Sequence, residues 1–299
     1  MIGYNTSMDK IVECVPNFSE GQNQKTINAI FDAAKTVPSV KVFELEFNAD
    51  HNRMLFTIVG EPDRVLLSAF EAIKVATELI DMNKHKGEHP RIGATDVVPF
   101  VPVSGVSMEE CVKLSEDLAK RVDAELGIPV FMYEESAKNP DYRNLADIRV
   151  GEFEGFKDKM RKPDFGLAQI HPTAGAMVIG ARKYLVAFNV NLDTSDIGIA
   201  KDIAGKIREK NGGLPGVKAL GFSVDEKAQV SMNLVDFEKT NFDEAYRAVE
   251  SEAKARGVAI ISSEIYGMIP LDALVRAVKT TFKADTFKSD QILEKKLYE

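Results

Sequence analysis

The sequence has few cysteines, no excess of positive charge and no long hydrophobic run. Its 299 residues include two cysteines, Cys14 and Cys111. Two are too few for a disulfide framework or for a zinc site built on thiolates. We therefore expect both to be buried free thiols in a protein of a reducing compartment.

Charge and hydropathy exclude further classes of protein. The net charge is −8, from 38 Lys and Arg against 46 Asp and Glu, which argues against a broad basic surface for nucleic acid. Any anionic substrate must then be held by local cations. No window reaches the roughly 18 apolar residues of a membrane span. The first ten residues are polar and do not resemble a signal peptide, so we expect a cytoplasmic protein.

The hydrophobic periodicity predicts two similar halves, each with the order βαββαβ. In the first half we expect strands at 11–15, 40–46, 53–59 and 97–103, with helices at 22–35 and 60–80. A helix at 107–125 and a strand at 129–133 extend it, 151–164 reads as a surface segment, and 164–176 reads as a loop. In the second half we expect strands at 184–192, 217–224, 228–235 and 258–261, with helices at 195–210 and 241–256.

This order predicts an α/β (α+β) fold of two ferredoxin-like βαββαβ subdomains with a ligand cleft between them. We place the N-terminal subdomain, which contains the stretch richest in candidate catalytic groups, at residues 1–178. The C-terminal subdomain, with a charged tail, is placed at residues 179–299.

The stretch from residue 85 to residue 96 (HKGEHPRIGATD) is dense in proton-transfer and anion-binding groups. Pro90 favours an extended backbone at His89, so its imidazole is expected in a loop and is a candidate general acid or base. An ordinary surface histidine remains the alternative. His85 and His89 have the spacing of a metal pair on a helix, but Gly87 and Pro90 argue against a helix there, and we expect no metal.

Three further groups are candidates for substrate contact or for orienting the base. Glu46 and Arg53 flank a polar loop, where a routine ion pair is the alternative. The glycine-containing loop at 166–175 permits close approach of a flat ligand, although a plain linker would look the same. Polar side chains on turns or on an otherwise apolar strand complete the set: Asn17, Asn189 and Asn191.

With these residues in view, the chain resembles the formiminotransferase family. The matching pieces include VECVPNFSEG at 12–21, GEHPRIGA at 87–94, PDFG at 163–166 and AFNVNL at 187–192, and they cover about residues 9–280. The resemblance implies two α/β subdomains, a homodimer, and transfer of a formimino group between 5-formiminotetrahydrofolate and L-glutamate in histidine degradation. Tetrahydrofolate would be the one-carbon carrier, with no metal.

The resemblance also implies roles for particular residues. It places the catalytic histidine at His89, and folate contacts along Gly166, Leu167, Ala168, Gln169, Ile170, His171, Pro172, Thr173, Ala174 and Gly175. In the mechanism that we expect, Arg53 and Arg91 are candidates for holding the glutamate carboxylates. Glu46 or Asp96 would stabilise the cationic formiminium or orient His89.

Two departures and three alternatives accompany this interpretation. Glu46 stands where the family pattern leads us to expect aspartate, and the cyclodeaminase domain of some relatives has no counterpart within this sequence. Formyl transfer from 5-formyltetrahydrofolate to glutamate is the nearest alternative. A non-catalytic folate-binding protein and a metal-dependent hydrolase using His85 and His89 belong to other classes.

Overall fold

A computed structural model describes residues 10–224 and 226–298. The chain divides into two compact units, one ending at Arg182 and the other starting at Lys183. Within the described part, no helix is long and apolar enough to cross a bilayer.

The first unit opens with the predicted βαββαβ order. Its elements are β1 (Ile11–Cys14), β2 (Asn17–Phe18), α1 (Gln24–Lys35), β3 (Val40–Asn48), β4 (Arg53–Gly60), α2 (Pro62–Leu79) and β5 (Thr95–Ser104). The antiparallel order is β3, β4, β1 with β2, then β5. The first strand is split because Pro16 has no N–H to give to a ladder.

An extension widens this sheet. It comprises α3 (Met108–Leu126), β6 (Val130–Glu134), a 3-10 turn (Pro140–Tyr142), α4 (Leu145–Ile148), α5 (Glu152–Asp158) and β7 (Met177–Ala181). Strand β7 lies between β5 and β6 and is parallel to both. Helix α3 starts in a capping box, in which the side chains of Ser107 and Glu110 each accept from the other's backbone N–H.

The prediction for 151–164 was wrong in part, and the strand that directly follows the 164–176 loop was not predicted. The first range contains α5, whose Phe153 and Phe156 are both buried. Strand β7 was missed because it is buried on both faces, so its residues do not alternate between apolar and polar. The predicted boundary after residue 178 falls within β7.

The two faces of the first sheet have different coverings. Helices α1, α2 and α3 pack a large core on one face, which includes Phe100 and Ile179. A smaller cluster on the other face includes Val97 and Phe156 of α5. Asn17 is paired with Val97, so it lies on this second face, where the candidate site is built.

The second unit has the complete ferredoxin-like arrangement. Its elements are β8 (Val186–Leu192), α6 (Ile197–Ile207), a 3-10 turn (Glu209–Asn211), β9 (Val217–Val224), β10 (Lys227–Leu234), α7 (Phe242–Ala255) and β11 (Ile260–Tyr266). The antiparallel order is β11, β8, β10, β9. All described residues of its core cluster belong to this unit. Beyond it come α8 (Leu271–Phe282), a 3-10 turn (Ser289–Gln291) and α9 (Leu293–Tyr298). The prediction of an α/β fold with two ferredoxin-like subdomains is confirmed.

Candidate active site

His89 lies in the loop between α2 and β5, and its ring has a defined tautomer. Nδ1 is 2.8 Å from the carbonyl oxygen of Pro90. A carbonyl oxygen only accepts hydrogen bonds, so Nδ1 carries the proton and Nε2 keeps a lone pair. Burial, and next the charge of Arg53, lower the pKa of His89 to about 4, and the charge of Arg149 acts in the same direction. The imidazole is therefore neutral near pH 7 and can accept a proton, and its low pKa makes it a weaker base than an ordinary histidine.

The loop that carries His89 is docked on the loop between β3 and β4. The side chain of Asn52 accepts from Gly21 N at 2.8 Å and donates to the carbonyl oxygen of Lys86 at 2.9 Å. Asn52 adopts a positive φ of 46°, which asparagine tolerates better than most residues. A Cβ on Gly87 would lie 2.4 Å from the carbonyl oxygen of His51, so only glycine permits this approach. The His51 and His89 rings then meet edge to face, with centroids 6.1 Å apart.

Asp96 forms ion pairs with two arginines, Arg53 and Arg149. Its carboxylate is fully buried and accepts from Arg53 Nη1 at 2.8 Å, from Arg149 Nη2, and from Ile92 N at 2.9 Å. Burial raises the pKa of Asp96, but the two guanidinium charges outweigh it and the pKa lies below its usual value. Arg53 also donates from Nε and Nη2 to Asn17 Oδ1, at 3.2 and 2.9 Å. Three predicted residues, Asn17, Arg53 and Asp96, thus form one cluster.

Arg91 belongs to a different cluster. It donates to Glu152 at 2.6 Å and, through two nitrogens, to Glu154 at 2.8 and 2.7 Å. Its Nε donates to Nδ1 of His85 at 3.3 Å, while Nε2 of His85 donates to the carbonyl oxygen of Asn52 at 2.9 Å. The guanidinium of Arg91 is therefore already hydrogen-bonded to two carboxylates and an imidazole. His85 bridges the Asn52 backbone to Arg91.

Glu46 lies on β3 just after an irregularity in the strand. The register shifts between Phe43 and Glu46, and Glu44 has a positive φ of 55°. Glu46 is exposed, and partial desolvation followed by repulsion from Glu44 raises the pKa of its carboxyl.

The predicted folate loop, residues 166–175, is exposed at its start and anchored at its end. Residues 166–169 are exposed, with Leu167 at 78%. At the other end, the carbonyl oxygens of Thr173 and Ala174 accept from Met82 N and Ala94 N, each at 2.8 Å. The end of this loop is therefore fixed beside both ends of the segment that carries His89.

The two predicted asparagines of the second unit lie on β8. Asn191 donates to Ser262 at 3.0 Å and to Glu264 at 3.1 Å, and it accepts from Gln229 Nε2 at 2.8 Å. Asn189 is buried and is paired with Ser231 and Glu264 on the neighbouring strands. The face of the sheet opposite the core thus carries a hydrogen-bonded polar group, beside which Leu220 and Phe222 are exposed.

Arg149 is the charged residue of the cluster that the sequence did not mark. It ends the four-residue helix α4, a segment without an obvious motif. Only the tertiary fold brings it to Asp96, which lies 53 positions earlier. Among the described residues, no group of three or more His, Cys, Asp or Glu side chains is arranged to hold a metal.

Comparison with known proteins identifies the family. The formiminotransferase domain, N-terminal subdomain, matches residues 11–182, and the formiminotransferase domain matches residues 187–296. The chain belongs to the formiminotransferase family. The predicted recognition of this family is confirmed, and so is the prediction that the chain is a transferase.

Relatives of the family match along nearly the whole chain. The glutamate formimidoyltransferase of Streptococcus pyogenes is 47% identical over 297 residues, covering 97% of this chain and 99% of that protein. The glutamate formimidoyltransferase of Thermoplasma acidophilum is 46% identical over 295 residues, covering 96% and 97%. The formimidoyltransferase-cyclodeaminase of Rattus norvegicus is 42% identical over 281 residues, covering 90% of this chain and 52% of that protein.

Proposed function

We propose that this transferase moves a formimino group between 5-formiminotetrahydrofolate and L-glutamate, with His89 as the general base. Membership of the formiminotransferase family supports the reaction class. The observation that carries the role of His89 is its tautomer, because Nδ1 donates to Pro90 and Nε2 is left with a lone pair in a neutral ring.

In the proposed mechanism the glutamate amine attacks the formimino carbon and forms a tetrahedral intermediate. Nε2 of His89 takes a proton from the attacking nitrogen. The bond from the carbon to folate N5 then breaks, and N5 receives a proton as it leaves. General base help of this kind is worth roughly 10²–10⁴-fold in rate. Holding both substrates in a reactive geometry supplies much of the rest.

The remaining predicted residues have proposed roles around this step. Residues 166–175 would contact the folate, since the exposed first part is accessible and the last part is fixed beside the His89 segment. Glu46 would stabilise the cationic formiminium. Desolvation and the charge of Glu44 raise the pKa of its carboxyl, and a bound cation would offset both effects. Asn17 would hold Arg53 in place. Asn189 and Asn191 would offer amide groups to a polar part of a substrate.

Arg91 and Asp96 have orienting roles in this proposal. Arg91 holds α5 and His85 against the His89 loop. Asp96 holds Arg53 and Arg149 together through a single buried carboxylate. The family resemblance further supports the proposals of a cytoplasmic homodimer that acts in histidine degradation without a metal.

The test is an assay of the purified protein with L-glutamate and either 5-formiminotetrahydrofolate or 5-formyltetrahydrofolate. We expect turnover of the formimino substrate. In His89→Ala, kcat should fall by roughly 10²–10⁴-fold while the Kd for the folate changes little. Lys84→Ala, an exposed lysine of the loop that carries His89, is the matched control and should keep most of kcat. A preference for the formyl substrate would contradict the proposed formimino transfer. Near-normal turnover by His89→Ala would contradict the role of His89 as the general base.

A further inference from the structure

The two arginine clusters near His89 differ in net charge. Arg91 is paired with Glu152 and Glu154, so that cluster carries one net negative charge. Arg53 and Arg149 share the single carboxylate of Asp96, so their cluster carries one net positive charge. Of these two clusters, only the second has a net positive charge that can attract an anion.

This positive cluster is largely removed from water. The side chains of Arg53 and Arg149 are 11% and 13% exposed, and Asp96 is 0% exposed. A charge without a partner costs free energy when it is buried, and a carboxylate on a guanidinium forms a strong charge-assisted hydrogen bond. The cluster therefore suits a second carboxylate supplied by a ligand.

Arg149 keeps an unused donor in this cluster. Its Nη2 donates to Asp96, but its Nε is buried and has no hydrogen-bond acceptor within the described part of the chain. The neighbouring Arg53 already uses Nε, Nη1 and Nη2 on Asn17 and Asp96. The orphaned donor of Arg149 is thus the polar group of the cluster that most needs a partner.

The cluster also acts on the base. Ile92, three residues after His89, donates its backbone N–H to Asp96 at 2.9 Å, and the charges of Arg53 and Arg149 both lower the pKa of His89. In an α-amino acid the amine and the α-carboxylate are attached to the same carbon atom. An amine that gives its proton to His89 therefore brings an α-carboxylate, and not the side-chain carboxylate, into the neighbourhood of the two arginines.

We propose that Arg149, together with Arg53, binds the α-carboxylate of the amino-acid acceptor. This inference rests on the proposed function and adds a residue that determines specificity for an α-amino acid. The site would accept acceptors with an α-carboxylate and discriminate against amines that lack one. The transferred group and the folate would not depend on it directly.

The experiment compares two ligands that each keep part of glutamate. L-glutamine keeps the α-carboxylate of glutamate and lacks the side-chain carboxylate. 4-Aminobutyrate lacks the α-carboxylate and keeps the carboxylate that corresponds to the side chain. Inhibition constants of both against L-glutamate are measured in the wild type, in Arg149→Gln and in Arg149→Lys. Wild-type turnover, measured first, tests the proposed function by itself.

In Arg149→Gln we expect the KM for glutamate and the inhibition constant of glutamine to rise by about 10- to 100-fold, the range of a lost hydrogen bond to a charged group. The inhibition constant of 4-aminobutyrate and the KM for the folate should change by less than about threefold on the same scale. Arg149→Lys keeps the charge but loses the Nε donor and the planar guanidinium. The constants for glutamate and glutamine should therefore rise relative to that of 4-aminobutyrate, but by a smaller factor than in Arg149→Gln.

Loss of folding would affect all ligands alike, so the split itself separates binding from damage. The fold around Arg149 has other supports, because Arg161 bonds the carbonyl oxygens of Asp147 and Ile148 and Ile148 is fully buried. Arg143→Gln is the matched control, an exposed arginine of the same segment paired with Glu135, and should leave every constant unchanged. The inference would be overturned by equal effects on glutamine and 4-aminobutyrate, by an effect on the folate alone, or by no effect. Wild-type turnover would still support the proposed function in each of these cases.

Discussion

At the scale of the residue, the decisive property of His89 is that its ring resists protonation. Burial removes the water that would solvate an imidazolium, and Arg53 and Arg149 repel the added charge. The hydrogen bond to Pro90 acts the other way and is outweighed. Because the folded pKa of about 4 lies below the ordinary 6.5, protonation favours unfolding as the pH falls between these values.

We therefore predict that the His89 ring titrates near pH 4 and stays neutral above about pH 5. The measurement is an NMR titration of the histidine ring signals, with His89→Gln to assign the relevant signal. The acid limb of kcat/KM should follow the same pKa if the ring is the base. A midpoint at 6 or above for His89 would contradict the electrostatic description of the site.

At the scale of the element, activity depends on how closely two loops approach. The loop after α2 lies on the loop between β3 and β4, and a Cβ at Gly87 would be 2.4 Å from the carbonyl oxygen of His51 and 2.9 Å from Cβ of Asn52. We predict that Gly87→Ala forces the loops apart. It should lower the free energy of unfolding by about 1–3 kcal/mol and lower kcat by roughly 10- to 100-fold.

The control for this substitution is Gly205→Ala in α6 of the second unit. Its new methyl group would have Asn211 Nδ2 as its nearest neighbour, at 3.8 Å, which is an ordinary contact. It should raise stability by about 0.5–1 kcal/mol and leave kcat unchanged. Urea unfolding and steady-state kinetics check both variants. Wild-type kcat in Gly87→Ala would mean that the loop approach does not position His89.

The same elements explain how far the sequence could lead. Periodicity located α1, α2, α3, α6 and α7 because each buries one face. It missed β7, where burial on both faces removes the alternation. The sequence indicated Asn17, Arg53 and Asp96 as three separate candidates for the site. Their contact with Arg149 could not be predicted, because it depends on strand register and on where the tertiary fold places the short helix that ends at Arg149.

At the scale of the molecule, net charge and local charge have opposite signs. The chain carries a net charge of −8, which disfavours approach of anionic substrates such as glutamate. The cluster of Arg53, Asp96 and Arg149 opposes this field at short range with one net positive charge. Recognition of an anion is thus expected to depend on a few placed arginines and not on the overall surface.

The division into two units gives the last prediction. Every described residue of the core cluster of the second unit lies within residues 184–269, and its four strands complete a ferredoxin-like sheet. We predict that residues 183–299 expressed alone fold, with ordered aromatic side chains by near-UV circular dichroism. Unfolding should be cooperative, with a urea m-value of about 1–3 kcal/mol/M. The fragment should have no transferase activity, because His89 belongs to the first unit. A gradual, non-cooperative transition would show that this core needs the first unit to become ordered, since a self-sufficient core loses its packing all at once.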